Sequence, residues 1–62
     1  MLKNVKYIRE SQGMTQEELA AKAHISRVAL ANIERGKTKS VMSKTIFALC
    51  DALGCTAEEL NE

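Results

Sequence analysis

At 62 residues, with nine Lys and Arg against eight Asp and Glu, the chain has room for one domain, expected to span residues 1–62, and carries a net charge of +1. No apolar run approaches the ~20 residues a membrane helix needs, and no secretory pattern follows Met1. A membrane role is thereby excluded and a cytoplasmic location expected. Two cysteines without a CxxC spacing and a single histidine leave no zinc set, so neither a metal nor a cofactor is expected.

Residues 2–12 predict a first helix. Leu2, Val5 and Ile8 recur every third position as an inward stripe, with Arg9 on its border and Gly13 as the stop. Tyr7 lies off that stripe and reads as a half-buried surface ring, while Met14 reads as a flexible filler. Residues 16–23 predict a second helix. Thr15 is its N-cap, Glu18 completes a capping box, and Leu19, Ala20 and Ala23 share one face. His24 and Ile25 break the pattern as a tight turn. Ser26 then caps a third helix over 27–35, with Leu30 and Ile33 inward and Gly36 as its stop.

The loop 36–40 is polar, and Lys37, Thr38, Lys39 and Ser40 all offer donors suited to phosphates. A fourth helix is expected over 42–53, with Ile46, Leu49, Cys50 and Leu53 inward and Gly54 as its stop. Phe47 sits about 100° round from Ile46 and either covers the last turn or lies exposed. Thr56 and Glu59 form a second capping box, opening a short fifth helix that carries Leu60 inward. No alternating strand pattern occurs, so the expected fold is all-α with five helices and a helix-turn-helix at its centre. Cys50 reads as a small core residue and Cys55 as a partly buried loop residue; the two could pair only if the helix ended between them.

Charge is unevenly spread. Residues 1–21 balance, residues 22–44 carry six basic side chains against Glu34 alone, and residues 45–62 carry four acids and no base. A basic middle beside an acidic end suggests one face turned to a polyanion. Arg27, Val28, Ala31 and Asn32 fall on the outward side of the third helix. Arginine can fork to guanine O6 and N7, and asparagine can pair with adenine. A helix that displays such groups and buries its other side suits a major groove.

Thr15-Gln16, Leu19-Ala20, Ile25-Ser26, Leu30 and Ile33-Glu34-Arg35-Gly36, flanked by Val5, Ile8, Arg9 and Ala52-Leu53-Gly54, resemble the helix-turn-helix of the Cro and phage-repressor family. The resemblance covers nearly the whole chain. It departs at His24, where the family usually has glycine, and at Val41, where a proline is common. It implies a compact lambda-repressor-like DNA-binding domain and a transcriptional regulator, a repressor, acting as a homodimer on a palindromic operator of double-stranded DNA. It implies base contacts from Arg27, Val28, Ala31 and Asn32, and backbone contacts from Gln16, Ser26, Arg35, Lys37, Thr38 and Lys39. It also implies an ion pair between Arg9 and Glu34, the one acid in the basic stretch. Partner contacts are expected from the positive-charge-free end, at Phe47, Cys55 and Leu60, because the basic stretch is committed to DNA.

Two other function classes compete. A protein-interaction module would use the acidic C-terminal half, but that leaves Arg27 and Asn32 without a purpose. An enzyme fares worse, since His24 has no acid–base constellation near it in sequence.

Overall fold

The computed structural model describes residues 2–38 and 40–61, and among them it is all-helical. The order is α1 (Val5–Ser11), α2 (Gln16–Ala23), α3 (Arg27–Glu34), α4 (Ser43–Leu53) and α5 (Ala57–Asn61). α2 lies against both α3 and α4, while α1 bridges α3 and α5. Val5, Leu19, Ala20, Ala23, Leu30, Ile33, Leu49, Leu53 and Leu60 form one buried cluster at their common centre. Each fully buried Leu or Val contributes roughly 1.5–3 kcal/mol of hydrophobic stabilisation. Ala20 and Ala23 are the small members, and they stand on α2, the helix that packs on two neighbours.

The expected caps form. Thr15 Oγ1 accepts from the Glu18 N–H at 3.1 Å, and the Thr15 N–H donates to Glu18 Oε1 at 2.8 Å. Thr56 and Glu59 repeat this reciprocal pair at the start of α5. Ser26 Oγ accepts from the Ala29 N–H at 3.0 Å and opens α3. The hydrogen bond from the Thr15 backbone holds the Glu18 carboxyl below the usual glutamate range. A group depressed in the folded state lends its stability above the unfolded pKa, near 4.3, and loses it as pH falls through the lower folded value. In an NMR titration Glu18 should therefore protonate below about pH 4.3. A midpoint at or above that value would show that the cap does not persist in solution.

α2 ends on a left-handed residue. His24 has φ 58 and ψ 40, and it is the single non-glycine residue at positive φ among those described. The Ile25 N–H reaches back to the Ala20 carbonyl at 3.0 Å and the His24 N–H to that of Ala21 at 3.3 Å. These are the two bonds of a Schellman closure, in which the apolar residue after the left-handed one packs back on the helix. Ile25 duly lies half-buried against the core. Histidine is among the few residues with a β-carbon that visit this region at modest cost.

Four expectations about the outer parts need correction. α1 begins at Val5, so Leu2 packs on the core from outside the helix. Its start is tied down by another element: the Asn4 N–H donates to the Leu60 carbonyl at 2.9 Å and its side-chain amide to that of Glu59 at 3.0 Å. These satisfy carbonyls that the short α5 would otherwise leave orphaned. Arg9 is buried rather than at the border of the stripe, with 7% of its surface exposed. Tyr7 is fully outside the core, 71% exposed. Leu60, expected at a partner surface, is completely enclosed by this chain's own core and has nothing left to offer a partner. α4 does end between Cys50 and Cys55, yet both thiols are free and half-buried. Burial pushes the Cys55 thiol up, which keeps it in the unreactive protonated form.

Candidate nucleic-acid interface

α3 has two faces of opposite kind. Leu30 and Ile33 point into the core, while Arg27, Val28 and Arg35 are exposed and Ala31 and Asn32 are half-exposed between them. Val28 keeps 59% of its surface open to solvent, a large fraction for a β-branched apolar side chain on a short helix. The exposed ridge therefore combines a guanidinium, a carboxamide and a methyl-bearing surface. Those are the three chemistries that distinguish guanine, adenine and thymine in a major groove. Asn32 and Arg35 lie one turn apart, with Arg35 Nη2 3.5 Å from Asn32 Oδ1, a contact too long to fix either side chain.

The angle of α3 is set from behind by Glu34. Arg9 donates to both carboxylate oxygens, from Nε to Oε2 at 2.7 Å and from Nη2 to Oε1 at 3.1 Å. Its remaining nitrogen, Nη1, donates to the Met14 carbonyl at 2.7 Å. The pair is bidentate and nearly dry, since the Glu34 side chain keeps only 2% of its surface. The hydrogen bond to Glu34 raises the guanidinium's already high pKa against the opposing effect of burial, so Arg9 stays charged. The expected ion pair is thus present, and it joins α1, the turn after it and the last residue of α3.

Gln16 enters the same group. Its Nε2 donates to Glu34 Oε1 at 2.9 Å, so the first residue of α2 is fastened to the last residue of α3. Gln16 is expected at a phosphate, and its second amide hydrogen remains free to donate to one. The bond to Glu34 was not legible in the sequence, because 18 residues separate the partners. Ser26 is exposed at the start of α3 with its hydroxyl hydrogen free to donate. Lys37 is exposed directly after α3 and Thr38 is half-buried, while Lys39 lies outside the described residues. Phe47 is exposed on α4, on a different helix from the ridge, and Cys55 is half-buried.

No described helix is long and apolar enough to cross a membrane. No group of three His, Cys, Asp or Glu side chains among the described residues could hold a metal ion. The geometry is that of a protein that presents one helix of a helix-turn-helix to DNA. Residues 5–60 match the model of the helix-turn-helix family, and the chain belongs to it. Over 57 residues it is 35% identical to the uncharacterised HTH-type transcriptional regulator y4dJ of Sinorhizobium fredii, spanning 92% of this chain and 73% of that one.

Two solved structures are similar. The restriction-modification controller protein C.AhdI of Aeromonas hydrophila superposes with a TM-score of 0.85 at 30% identity, over 90% of this chain and 83% of that one. The clp gene regulator ClgR of C. glutamicum gives 0.81 at 30% identity, over 90% and 71%. The chain is a DNA-binding transcriptional regulator of the Cro and phage-repressor type.

Proposed function

We propose that this protein is a cytoplasmic, sequence-specific repressor that reads the major groove of double-stranded DNA with α3. The observation that carries this reading is the exposed ridge of Arg27, Val28, Ala31 and Asn32 on a helix whose opposite side is core. Arg27 pairs with guanine, Asn32 with adenine, and Val28 rests on a thymine methyl with Ala31 beside it. Gln16, Ser26, Arg35, Lys37, Thr38 and Lys39 hold the flanking phosphates and so set the register.

A homodimer on a palindromic operator follows from size. The domain measures 25 × 22 × 19 Å, and successive major-groove faces are about 34 Å apart. One copy therefore reaches one face, and a second copy is required to double the base contacts. Selection of bound sequences from a random DNA pool tests the reading. It should enrich two inverted half-sites about one helical turn apart, and a pool that gains no consensus would overturn sequence-specific binding. A reporter downstream of the selected site should lose expression when the protein is made, and a gain would make it an activator.

Lys37 serves as the gauge of the backbone contacts. Lys37→Ala should reduce the slope of log affinity against log salt by about one unit and leave the selected consensus unaltered. An unchanged slope removes the loop from the interface. The competing reading, an adaptor whose acidic half binds a protein, predicts weak dependence on salt and no consensus.

A further inference from the structure

We infer that the outer face of α4 is a self-complementary surface on which a second copy of this chain docks antiparallel, with Phe47 at its centre and Lys44 of each copy against Asp51 of the other.

α4 turns Leu49 and Leu53 into the core, with Ile46, Ala48 and Cys50 half-buried at its flanks. Its outward stripe is Lys44, Phe47 and Asp51, all exposed, spaced so that they fall on one side of the helix. Phe47 leaves 65% of its surface in water, and no other described residue of α4 is an exposed large hydrophobic. An unpaired aromatic ring on a rigid helix is the kind of anchor that dimer interfaces bury at their centre.

The charges choose the occupant and its direction. Lys44 stands three residues before Phe47, and Asp51 four after it. In an isologous dimer the same patch meets itself, and a two-fold axis across antiparallel helices brings the start of one against the end of the other. With the axis beside Phe47, the two rings meet. Lys44 then faces the other copy's Asp51 on one flank of the ring pair, and symmetry repeats the contact on the opposite flank. Lysine and aspartate are about 10.5 Å apart along the helix, so both pairs fit within three turns. A parallel pair would instead oppose lysine to lysine and aspartate to aspartate. Residues 45–62 otherwise carry only acids, so Lys44 is the cation that can offset the repulsion between two such ends.

This inference rests on the dimeric reading above only for its purpose, and its test needs no DNA. Sedimentation equilibrium on the full chain gives the dimer dissociation constant, and circular dichroism checks folding. Lys44→Glu and Asp51→Lys should each weaken the dimer by about tenfold or more, since each turns two attractive pairs into repulsive ones. The double variant, with both charges exchanged, should return to within about threefold of wild type. An equimolar mixture of the two single variants should form heterodimers in preference to either homodimer, because only the mixed pair opposes unlike charges at both positions. Phe47→Ala should be folded and monomeric.

A wild type that stays monomeric at roughly 1 mM overturns the inference. So does a dimer that both single variants leave intact, or one that the charge exchange fails to restore. Binding of each variant to a single half-site is measured separately. If it is retained while the dimer results fail, the DNA-binding reading stands and only the interface is wrong.

Discussion

Replacing Glu34 by alanine is expected to destabilise the domain by about 3–5 kcal/mol, the range for stripping one partner from a buried pair. The carboxylate accepts three hydrogen bonds, two from Arg9 and one from Gln16, and is almost completely dry. Its loss leaves the Arg9 guanidinium buried with the Met14 carbonyl as its one remaining hydrogen-bond partner and the exposed Glu10 carboxylate 3.9 Å away. A chain of this size has a total stability of only about 3–9 kcal/mol, so much of the variant should be unfolded at room temperature. Arg9→Ala should be comparably severe. The double variant Arg9→Met with Glu34→Leu should be less destabilised than either single alanine, because no unpaired charge remains inside. Urea denaturation of the four proteins checks this. A loss below about 1 kcal/mol in both single variants would mean that water reaches the pair.

Arg27→Ala is expected to leave folding untouched and to cost about 1–3 kcal/mol of affinity for the selected operator. The side chain is exposed, forms no hydrogen bond within the chain among those described, and stands at the first position of α3. The loss should be confined to one base pair in each half-site, where the preference for guanine relaxes. Binding to DNA pools carrying each base at that position, measured at fixed salt, distinguishes the outcomes. Uniform weakening on every sequence would make Arg27 a phosphate contact and move base readout to Val28 and Asn32. The contrast with Lys37→Ala is diagnostic, since that change should alter the salt slope and leave the consensus alone.

The two sets of residues differ in how far the sequence reveals them. The ridge of α3 was legible because helix periodicity alone decides which residues lie opposite Leu30 and Ile33. The pairing of Arg9 with Glu34 was expected only through family resemblance. Nothing in local chemistry singles out that arginine, with 25 residues between the partners. The sequence puts the third member, Gln16, at the start of α2, where it suits a phosphate, and points to no partner within the chain. Its bond to Glu34 required knowing that the start of α2 lies against the end of α3.

What the sequence determines by itself are the events within a few residues of one another. The boxes of Thr15 with Glu18 and Thr56 with Glu59, the Ser26 cap, and the left-handed stops after α2 and α4 all close through bonds spanning three to five residues. Such bonds form or fail on local side-chain chemistry, so helix count and order follow. What only the tertiary structure decides is which side of each helix remains wet. Leu60 and Phe47 are both apolar residues near the acidic end, yet one is enclosed and the other 65% exposed. α5 is folded back under α1, with Asn4 bonded to the Leu60 and Glu59 carbonyls and Gln12 to that of Leu53. Burial is a property of what packs on a residue, and the elements that pack here are brought together from opposite ends of the chain. The same cause took Arg9 inside: a guanidinium can leave water only when a carboxylate and a carbonyl replace its solvent shell, and the folded chain supplies both at one point.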